Sequence, residues 1–353
     1  MFFFISRYSE MQIKHLLFVS LLTIHGIFSA NKALAQNDFR IMFYNVENLF
    51  DTKNDADHAD EEFLPDGAMK WQTWKYWEKL KNITRVITAV GQMQSPALVG
   101  LCEIENDSVI FDLTRRSPLR AQQYEYVATN SPDERGIDVA LLYQRDRFRL
   151  IHKNEYRIPF REKNKTSRNI LHVVGQLVNK DTLDVFVCHF PSRGGGQLAT
   201  EQSRIDAALL LRRKTDSLFH VRRNANIVIM GDFNDHPDDK SLSQTLNAQS
   251  IKKEIEDMKL YNLFRHRVNE KGFGTYKYQG KWEILDQFIV SGNLLHHGSI
   301  EVKNNCAHVF NADFLLERDE RNGGKRPYRT NLGPRYIGGF SDHLPIYMNL
   351  VIR

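Results

Sequence analysis

The stretch that decides the fold is IVIMGDFNDHP, residues 227–237. It begins with four consecutive apolar residues, a pattern typical of a strand that is buried on both faces of a sheet. A glycine follows, and four polar side chains then crowd the strand end: Asp232, Asn234, Asp235 and His236. Carboxylate, amide and imidazole groups are costly to remove from water, so their concentration at a strand end predicts a functional site.

Similar apolar runs recur along the chain and predict further strands. With the strand of the opening stretch they are FRIMFYNV (39–46), ALVGLCEI (97–104), IDVALLY (137–143), LHVVGQLV (171–178), LDVFVCHF (183–190), NIVIMGDF (226–233), ILDQFIVS (284–291) and HLPIYMNLVI (343–352). Apolar residues at three- and four-residue spacing predict two long helices, over 71–93 and about 197–222. The predicted buried faces are Trp74, Trp77, Leu80, Ile83, Ile87 and Val90 in the first helix, and Ile205, Leu209 and Leu218 in the second. Strands interleaved with helices indicate sheets that are covered by helices.

The first 35 residues are typical of a secretory signal peptide. Lys14 and His15 precede an apolar run over 16–28, and the small-residue sequence ALA at 33–35 comes just before Gln36. A membrane anchor is the alternative, but the run is short for a spanning helix. We therefore expect cleavage after Ala35, export to the periplasm or the medium, and no stable membrane association. Because no internal repeat or proline-rich linker divides the remainder, residues 36–353 are predicted to form a single domain, and we expect a monomer.

The composition is ordinary for a globular protein, with 42% hydrophobic and 26% charged residues. The net charge is +5, and loss of residues 1–35 removes three basic residues and one acidic residue, which leaves +3. So mild an excess is weak evidence for an anionic partner. The three cysteines, Cys102, Cys188 and Cys306, do not form a disulfide framework, and their spacing fits no zinc site.

Polar residues lie where five strand-associated segments end or break. They are Asn45, Glu103, His189, the pair Asp232 and Asn234, and the pair Asp342 and His343. One such residue would be explained as a buried polar group whose hydrogen bonds are satisfied. Five segments together are better explained by one shared site at an edge of packed sheets.

The residue types in this set limit the reaction. Carboxylate and amide oxygens suit Mg²⁺, Mn²⁺ or Ca²⁺, whereas two histidines can move protons or stabilise charge near neutral pH. The sequence has no Gly-x-Ser-x-Gly elbow, no phosphate-binding Walker sequence and no dinucleotide-binding glycine motif. Metal ligands with acid–base groups, and no protein nucleophile, indicate hydrolysis by an activated water molecule.

The chain resembles the endonuclease/exonuclease/phosphatase superfamily, which includes deoxyribonuclease I-like enzymes. The matching segments occur in the order of that family: YNVENLF, GLCEIEN, DVALLY, CHFPSR, GDFND, LDQFIVS and GGFSDHLPI, over residues 44–346. The resemblance implies an α/β fold, a four-layer α/β/β/α sandwich in which two mixed sheets pack face to face and are covered by helices. It places the site at the top of the sandwich, between the sheets.

The resemblance also implies a role for each site residue. Asn45, Glu103 and Asp342 match residues that hold a catalytic Mg²⁺ or Mn²⁺ ion. The predicted catalytic residues are Asp232 and Asn234, which orient water, His343 with Asp286 behind it, and His189, which stabilises the transition state or acts as an acid. The glutamate motif reads LCEIEN, where many relatives have glutamine before glutamate. Glu105 is the second-ranked ligand, because it lies on the same face as Glu103 if the strand continues.

Three arginines, Arg193, Arg135 and Arg329, are candidate phosphate contacts, because a guanidinium group binds phosphate through two hydrogen bonds. Arg329 lies with Tyr328 and Tyr336 in a basic segment, 318–336, and this segment is predicted to be a long loop. The acidic segment 51–66 lacks the glycine of a calcium-binding EF-hand loop and is predicted to be a solvated surface loop.

Three classes of function compete. The intact site argues against a non-catalytic binding module. A phosphoesterase for lipid head groups or small phosphate esters remains the alternative, although no exposed apolar loop suits a membrane surface. The basic segment and the positive charge favour a nuclease that acts on DNA or RNA.

Overall fold

The computed structural model describes residues 38–251 and 253–353. The segment 1–35, for which a signal peptide is predicted, lies outside the described residues. No helix among the described residues has the length and apolar character needed to cross a membrane.

The first sheet is built around two parallel strands, β1 (Asp38–Leu49) and β2 (Leu98–Ile104). The outer strands are antiparallel to their neighbours: β3 (Glu125–Ala128), β4 (Asp138–Tyr143), β14 (Ile300–Val302), β15 (His308–Val309) and β20 (Ile346–Ile352). The order is β14-β20-β1-β2-β4-β3, and β15 also pairs with β20. Both central strands are almost entirely buried, which explains their unbroken apolar runs.

The second sheet has the same plan, with the parallel strands β7 (Thr182–His189) and β8 (Ile227–Asp232) at its centre. The remaining strands are β5 (Phe148–Tyr156), β6 (Ile170–Leu177), β9 (Ala248–Gln249), β10 (Leu260–Asn262) and β13 (Asp286–Ser291). The order is β5-β6-β7-β8-β13-β10-β9. Strand β13 runs antiparallel to β8, so it begins at the edge where β7 and β8 end.

The two sheets pack face to face through a shared core of apolar side chains, including Phe43 and Leu98 from the first sheet and Met230 and Phe288 from the second. The sheets approach closely at Gly100, where a β-carbon would lie 2.8 Å from the Met230 Cε atom. Helix α1 (Thr73–Gly91) covers the outer face of the first sheet, and helix α3 (Gln197–Val221) covers that of the second. The predicted four-layer α/β/β/α sandwich is confirmed.

Shorter elements connect these layers. A short helix α2 (Asp107–Phe111) follows β2. Three small hairpins are formed by β11 (Tyr276–Tyr278) with β12 (Lys281–Glu283), β16 (Leu316–Arg318) with β17 (Lys325–Pro327), and β18 (Asn331–Leu332) with β19 (Arg335–Tyr336). The 3-10 turns are Glu61–Phe63, Pro118–Gln122, Arg265–Arg267, Gly292–Leu295, Lys303–Asn305 and Asp313–Leu315, and wider helical turns span Asp112–Arg116 and Ser241–Thr245.

The eight predicted strands are confirmed, with ends that differ by at most three residues. The predicted faces of the helices are partly wrong. Trp74 is 59% exposed and Trp77 is 38% exposed, whereas Tyr76, which was not predicted, is buried. The other predicted residues of this face are buried as expected: Leu80, Ile83, Ile87 and Val90. In α3, Ile205 and Leu209 are only half-buried, because small and polar residues form much of the face that packs on the sheet.

The two predicted loops are also more ordered than expected. Within 51–66, Asp60 and Phe63 are buried, and the Phe63 ring stacks on Phe50 with centroids 4.3 Å apart. Segment 318–336 contains most of two hairpins rather than one long loop. All three cysteines are free, and Cys102 and Cys188 are buried as expected.

Candidate active site

The strand register of the second sheet brings three polar residues into one row. His189 at the end of β7 pairs with Asp232 at the end of β8, and Asp286 at the start of β13 pairs with the same Asp232. All three side chains are buried. The parallel strands β7 and β8 therefore end where the antiparallel strand β13 begins, and this geometry makes a polar cluster at one edge of the sheet.

The first sheet contributes Asn45 and Glu103 from the ends of its own parallel pair. The Asn45 amide donates to Glu103 Oε1 over 3.2 Å and to Asp232 Oδ2 over 3.1 Å, so it links the two sheets. Its Oδ1 atom accepts the backbone N–H of Glu47 over 2.9 Å, and the second oxygen of Glu103 accepts the N–H of Asn48 over 2.9 Å. The site lies at the top of the sandwich, between the sheets.

The backbone at these strand ends adopts the left-handed conformation, which is costly for residues other than glycine. Glu47, Asn48, Glu103 and Asn234 have φ values of 53°, 56°, 61° and 51°. The pairing of β2 with both neighbours shifts register around Glu103, so this residue lies in a bulge. Strained residues concentrate where a side chain must be aimed at a common point, as they do here.

The bulge separates Glu103 from Glu105. Glu105 is buried, and its Oε2 atom accepts the N–H of Asp51 over 2.6 Å, in the segment that follows β1. The expectation that the two glutamates share a face holds only for an unbroken strand, and the bulge at Glu103 ends that alternation. Glu103 is the glutamate that lies with Asn45 and Asp232.

His343 forms the other end of the cluster. Its Nδ1 atom lies 2.7 Å from Asp286 Oδ2, and its Nε2 atom lies 3.8 Å from Asp232 Oδ2. Burial lowers the pKa of His343, but the Asp286 and Asp232 carboxylates outweigh that effect and hold this pKa well above its ordinary value. Burial, reinforced by Asp286, raises the pKa of Asp232 to about 6. At neutral pH His343 is therefore an imidazolium and Asp232 is a carboxylate.

His189, unlike His343, is held in the neutral form. Burial lowers its pKa well below the ordinary value, and the positive charges of Arg168, Arg135 and His343 lower it further. Its Nε2 atom lies 3.8 Å from Asp232 Oδ2 and 3.9 Å from Glu103 Oε1, whereas its Nδ1 atom has no hydrogen-bond partner among the described residues. The site thus combines one neutral and one charged histidine.

The family is settled by a comparison over almost the whole described chain. Residues 40–352 match the model of the endonuclease/exonuclease/phosphatase family. The chain belongs to this family. Members of the family are phosphoester hydrolases. No curated protein sequence matches the chain at a significant level.

Solved structures of the endonuclease/exonuclease/phosphatase fold are similar to the chain in architecture. They include a mannosyl-6-phosphatase of Bacteroides thetaiotaomicron, at 17% identity and a TM-score of 0.55, which covers 89% of this chain and 100% of that one. The human Nocturnin catalytic domain is similar at 14% identity and a TM-score of 0.52, and the match covers 90% of this chain and 95% of that one. Danio rerio TDP2, complexed with a single-strand DNA product, is similar at 13% identity and a TM-score of 0.53, and the match covers 89% of this chain and 98% of that one. At such low identity these likenesses show the fold alone.

Asp342 lies beside the cluster but is paired with an arginine. The Arg329 guanidinium donates to Asp342 Oδ2, and its Nε atom lies 3.6 Å from the buried carboxylate of Glu47. Glu47 also accepts the N–H of Thr330 over 2.6 Å, and the buried Lys79 ammonium donates to the Thr330 hydroxyl over 2.6 Å. Arg329 therefore belongs to a charged network that fixes the segment carrying Asp342.

The other two candidate phosphate contacts are placed differently from each other. Arg193 is engaged: it donates to the Asn234 carbonyl over 2.6 Å and to Glu283 over 3.1 Å, and it pairs with Asp239 at 3.3 Å. Its present contacts hold the loop that carries Asn234. Arg135 is exposed at the rim of the site, where it donates to the Asn48 side chain.

The donor set fits a divalent cation. Glu103 is 15% exposed at the mouth of the site, and among the described residues neither Glu103 nor Asp232 pairs with a lysine or an arginine. Hard oxygen donors that have no lysine or arginine partner suit Mg²⁺ or Mn²⁺. Asp232, Asp286 and His343 also bring one potential ligand atom each within 4.8 Å of one another. Because Asp286 is fully buried behind His343, we interpret these three residues as an acid–base group and not as a metal site. The assignment of Asn45, Glu103 and Asp342 as metal ligands stays a prediction.

Several contributors in this family site were not predicted. Tyr276 lies against His343 with ring centroids 4.8 Å apart, and the Ser341 hydroxyl donates to the Asn45 carbonyl over 2.7 Å while accepting the His343 N–H over 3.1 Å. The buried Arg168 pairs with Asp133 at 3.1 Å. After burial, its positive charge is the largest effect that lowers the pKa of His189. Ser341 lies inside the GGFSDHLPI motif, whereas Arg168 and Tyr276 lie outside every motif and could not be predicted from the sequence.

Proposed function

We propose that the chain is an exported, metal-dependent phosphodiester hydrolase that acts as a nuclease on DNA or RNA. The observation that carries the proposal is the convergence of Glu103, Asp232, His189 and His343 between the two sheets, with an open cleft beside them. A phosphodiester is an anion and repels hydroxide, so a site that cleaves it must supply positive charge and activate water.

The residues of the site can divide this work. The Asp232 carboxylate, which accepts the N–H of Asn234 over 2.9 Å, orients the attacking water and receives its proton. The imidazolium of His343, held by Asp286, stabilises the negative charge on the phosphate as water attacks. A divalent ion bound at Glu103 would neutralise the phosphate oxygens and stabilise the leaving group.

His189 has a different part in the proposed reaction. Its Nε2 atom points toward the Asp232 and Glu103 carboxylates, which favours the proton on that nitrogen. A neutral imidazole can then donate a hydrogen bond to a phosphate oxygen without adding a second positive charge to the site. Asn45 holds the two carboxylates as a donor, and this leaves their other lone pairs available to a metal ion and to water.

Two further observations support a nucleic-acid substrate. The cleft next to Asp342 is lined by four cationic side chains, Lys277, Arg321, Arg326 and Arg329, and by two carboxylates, Asp319 and Asp342. Three of the cations are paired with carboxylates, and Arg321, which pairs with none among the described residues, is the cation available to a phosphate. TDP2, which shares the fold, has been solved with a single-strand DNA product.

We propose further that the chain works as a monomer without stable membrane association, and that its leader is removed after Ala35. Mass spectrometry of protein recovered outside the cytoplasm tests the last point, because an intact 16–28 segment there would contradict it.

A small phosphate ester is the second candidate substrate. The cavity beside the site measures about 610 Å³, which suits a single sugar phosphate, and a mannosyl-6-phosphatase shares the fold. A panel of plasmid DNA, single-stranded DNA, RNA, sugar phosphates, inositol phosphates, sphingomyelin and a bis-ester dye, each with Mg²⁺ or with chelator, tests the proposal. We expect plasmid nicking or RNA degradation that needs Mg²⁺ and weakens as salt rises. Turnover of sugar phosphate or sphingomyelin without cleavage of nucleic acid would reject the nuclease assignment.

A further inference from the structure

A cavity of about 610 Å³ opens beside the proposed catalytic residues. Its walls are two short hairpins, β11–β12 on one side and β16–β17 on the other. The two hairpins are joined by a buried ion pair: the Lys277 ammonium lies 2.9 Å from Asp319 Oδ2 and also donates to the Gly323 carbonyl over 2.8 Å. Lys277 holds the pKa of Asp319 at about 2, so this link persists over the whole physiological range of pH. The two walls of the cavity are therefore linked to each other.

The cavity is continuous with the catalytic residues. Asp342 and Arg329 line its inner end. Tyr276 also lines it, and its backbone pairs with that of His343, against which its ring lies. A phosphoester whose phosphate lies at His343 would therefore extend its next chemical group into this space.

The lining chemistry identifies that group. Arg321 and Tyr278 lie at the outer end, and both side chains are exposed, with Tyr278 at 55%. Among the described residues Arg321 pairs with no carboxylate, whereas Arg326 is paired with Glu317 at 2.8 Å. The outer end thus offers an unmatched cation beside an aromatic face. A sugar monophosphate carries one anionic group, which the catalytic centre would take, and it would leave Arg321 without a partner.

We propose that this cavity binds the nucleotide that adjoins the scissile phosphate, with its base stacked on Tyr278 and its second phosphate bound by Arg321. The proposal rests on the proposed nuclease function. A single-stranded segment fits better than a duplex, because a base can stack on a side chain only when it is unpaired. The cavity would make cleavage depend on a neighbouring nucleotide without reading its sequence.

The variants Tyr278→Ala and Arg321→Ala test the proposal in the full protein. Stacking of one base on an aromatic side chain contributes about 5- to 150-fold in affinity. We expect each variant to lower kcat/KM for a short single-stranded oligonucleotide about tenfold, mainly through KM. Hydrolysis of bis(p-nitrophenyl) phosphate, which has no second phosphate, should stay within about twofold of wild type in Arg321→Ala, since the catalytic residues are untouched. For Tyr278→Ala the loss on this substrate should be smaller than the loss on the oligonucleotide, because a nitrophenyl ring can also stack on Tyr278 but is smaller than a base. Tyr278→Phe, which keeps the ring, and Arg120→Ala, which removes an exposed arginine outside the cavity lining, should behave as wild type.

A second measurement separates failure of the cavity proposal from failure of the nuclease assignment. A nucleoside 3′,5′-bisphosphate should inhibit hydrolysis of the bis-ester competitively, and the inhibition constant should rise about tenfold in Tyr278→Ala and Arg321→Ala. This test needs no cleavage of nucleic acid. Equal inhibition of wild type and both variants would overturn the cavity proposal, even if the enzyme cuts DNA. Unequal inhibition by an enzyme that cuts no nucleic acid would uphold the nucleotide site and reject the nuclease assignment alone.

Discussion

Two glutamates two residues apart offer a sharp test of the site, because the structure gives them opposite tasks. Glu103 lies with Asn45 and Asp232 at the mouth of the site, whereas Glu105 is turned toward the segment after β1. The same substitution at each position, glutamate to glutamine, keeps the size and polarity of the side chain and removes its ability to ionise. We expect Glu103→Gln to reduce activity and leave the stability profile unchanged. We expect Glu105→Gln to keep most of the activity and change how stability depends on pH.

The magnitude for Glu105 follows from its surroundings. Burial, together with the nearby carboxylates of Asp51, Asp60 and Asp55, raises the pKa of Glu105 from 4.5 to about 8. The folded protein therefore binds this proton more tightly than the unfolded chain, so the stability that it contributes is fully present below pH 4.5 and is lost as pH rises toward 8. Each pKa unit corresponds to about 1.4 kcal/mol, which makes the loss roughly 3 kcal/mol between pH 5 and pH 8. Glutamine does not titrate and removes this slope.

Urea unfolding followed by tryptophan fluorescence at pH 5, 6, 7 and 8 measures the effect. The free energy of unfolding of wild type should fall by roughly 3 kcal/mol more than that of Glu105→Gln across this range. The Glu103→Gln variant, measured in parallel, should follow wild type, and its metal affinity and rate should fall together. Parallel curves for wild type and Glu105→Gln would refute the reasoning about burial. Loss of metal affinity in Glu105→Gln, but not in Glu103→Gln, would show that the ligand is Glu105.

Three further outcomes are expected. Chelator should abolish activity and added Mg²⁺ or Mn²⁺ should restore it, and activity that survives chelation would contradict a metal-dependent site. General acid–base groups contribute ~10²–10⁴-fold to rate, so His343→Ala and Asp232→Asn should each lose at least ~10²-fold with unchanged circular dichroism, and His189→Ala should lose a similar or somewhat smaller amount. Arg193→Ala should lower kcat more than it raises KM, because this side chain holds the loop of Asn234; a rise in KM alone would mean that Arg193 binds phosphate directly.

Much of the fold could be predicted from local patterns. The central strands are buried on both faces, so their apolar runs are continuous and their ends are marked by the first polar residue. Asn45, Glu103, His189 and Asp232 could be found because each stands at such an end. The predicted apolar face of helix α1 was partly wrong, because Trp74 fits the apolar spacing yet lies on the exposed side, where its ring packs against Tyr336 with centroids 5.3 Å apart. Periodicity shows that a helix has an apolar stripe, but large aromatic residues at its margin can pack on a loop instead of the core.

Contacts between distant parts of the chain could not be predicted. The sequence shows Arg193 and Arg329 as free cations near glycine-rich segments, but the structure pairs them with Glu283 and Asp342. The bulge that separates Glu103 from Glu105 has no mark in the sequence either. It depends on the pairing of β2 with strands on both sides. Such features arise from tertiary packing, which local propensity does not encode.

The protonation states of the two histidines show most clearly why the motifs alone were insufficient. His189 and His343 both face Asp232 at 3.8 Å, so their shared neighbour does not distinguish them. The difference comes from what lies behind each ring. Asp286 is 2.7 Å from the Nδ1 atom of His343 and stabilises its charge, whereas burial and then the positive charge of Arg168 lower the pKa of His189 and keep it neutral. The Nδ1 atom of His189 has no hydrogen-bond partner among the described residues. Because Asp286 and Arg168 are far from both histidines in sequence, this division of charge is a property of the folded sandwich. In the proposed reaction it would supply one imidazolium for the phosphate and one neutral donor beside it.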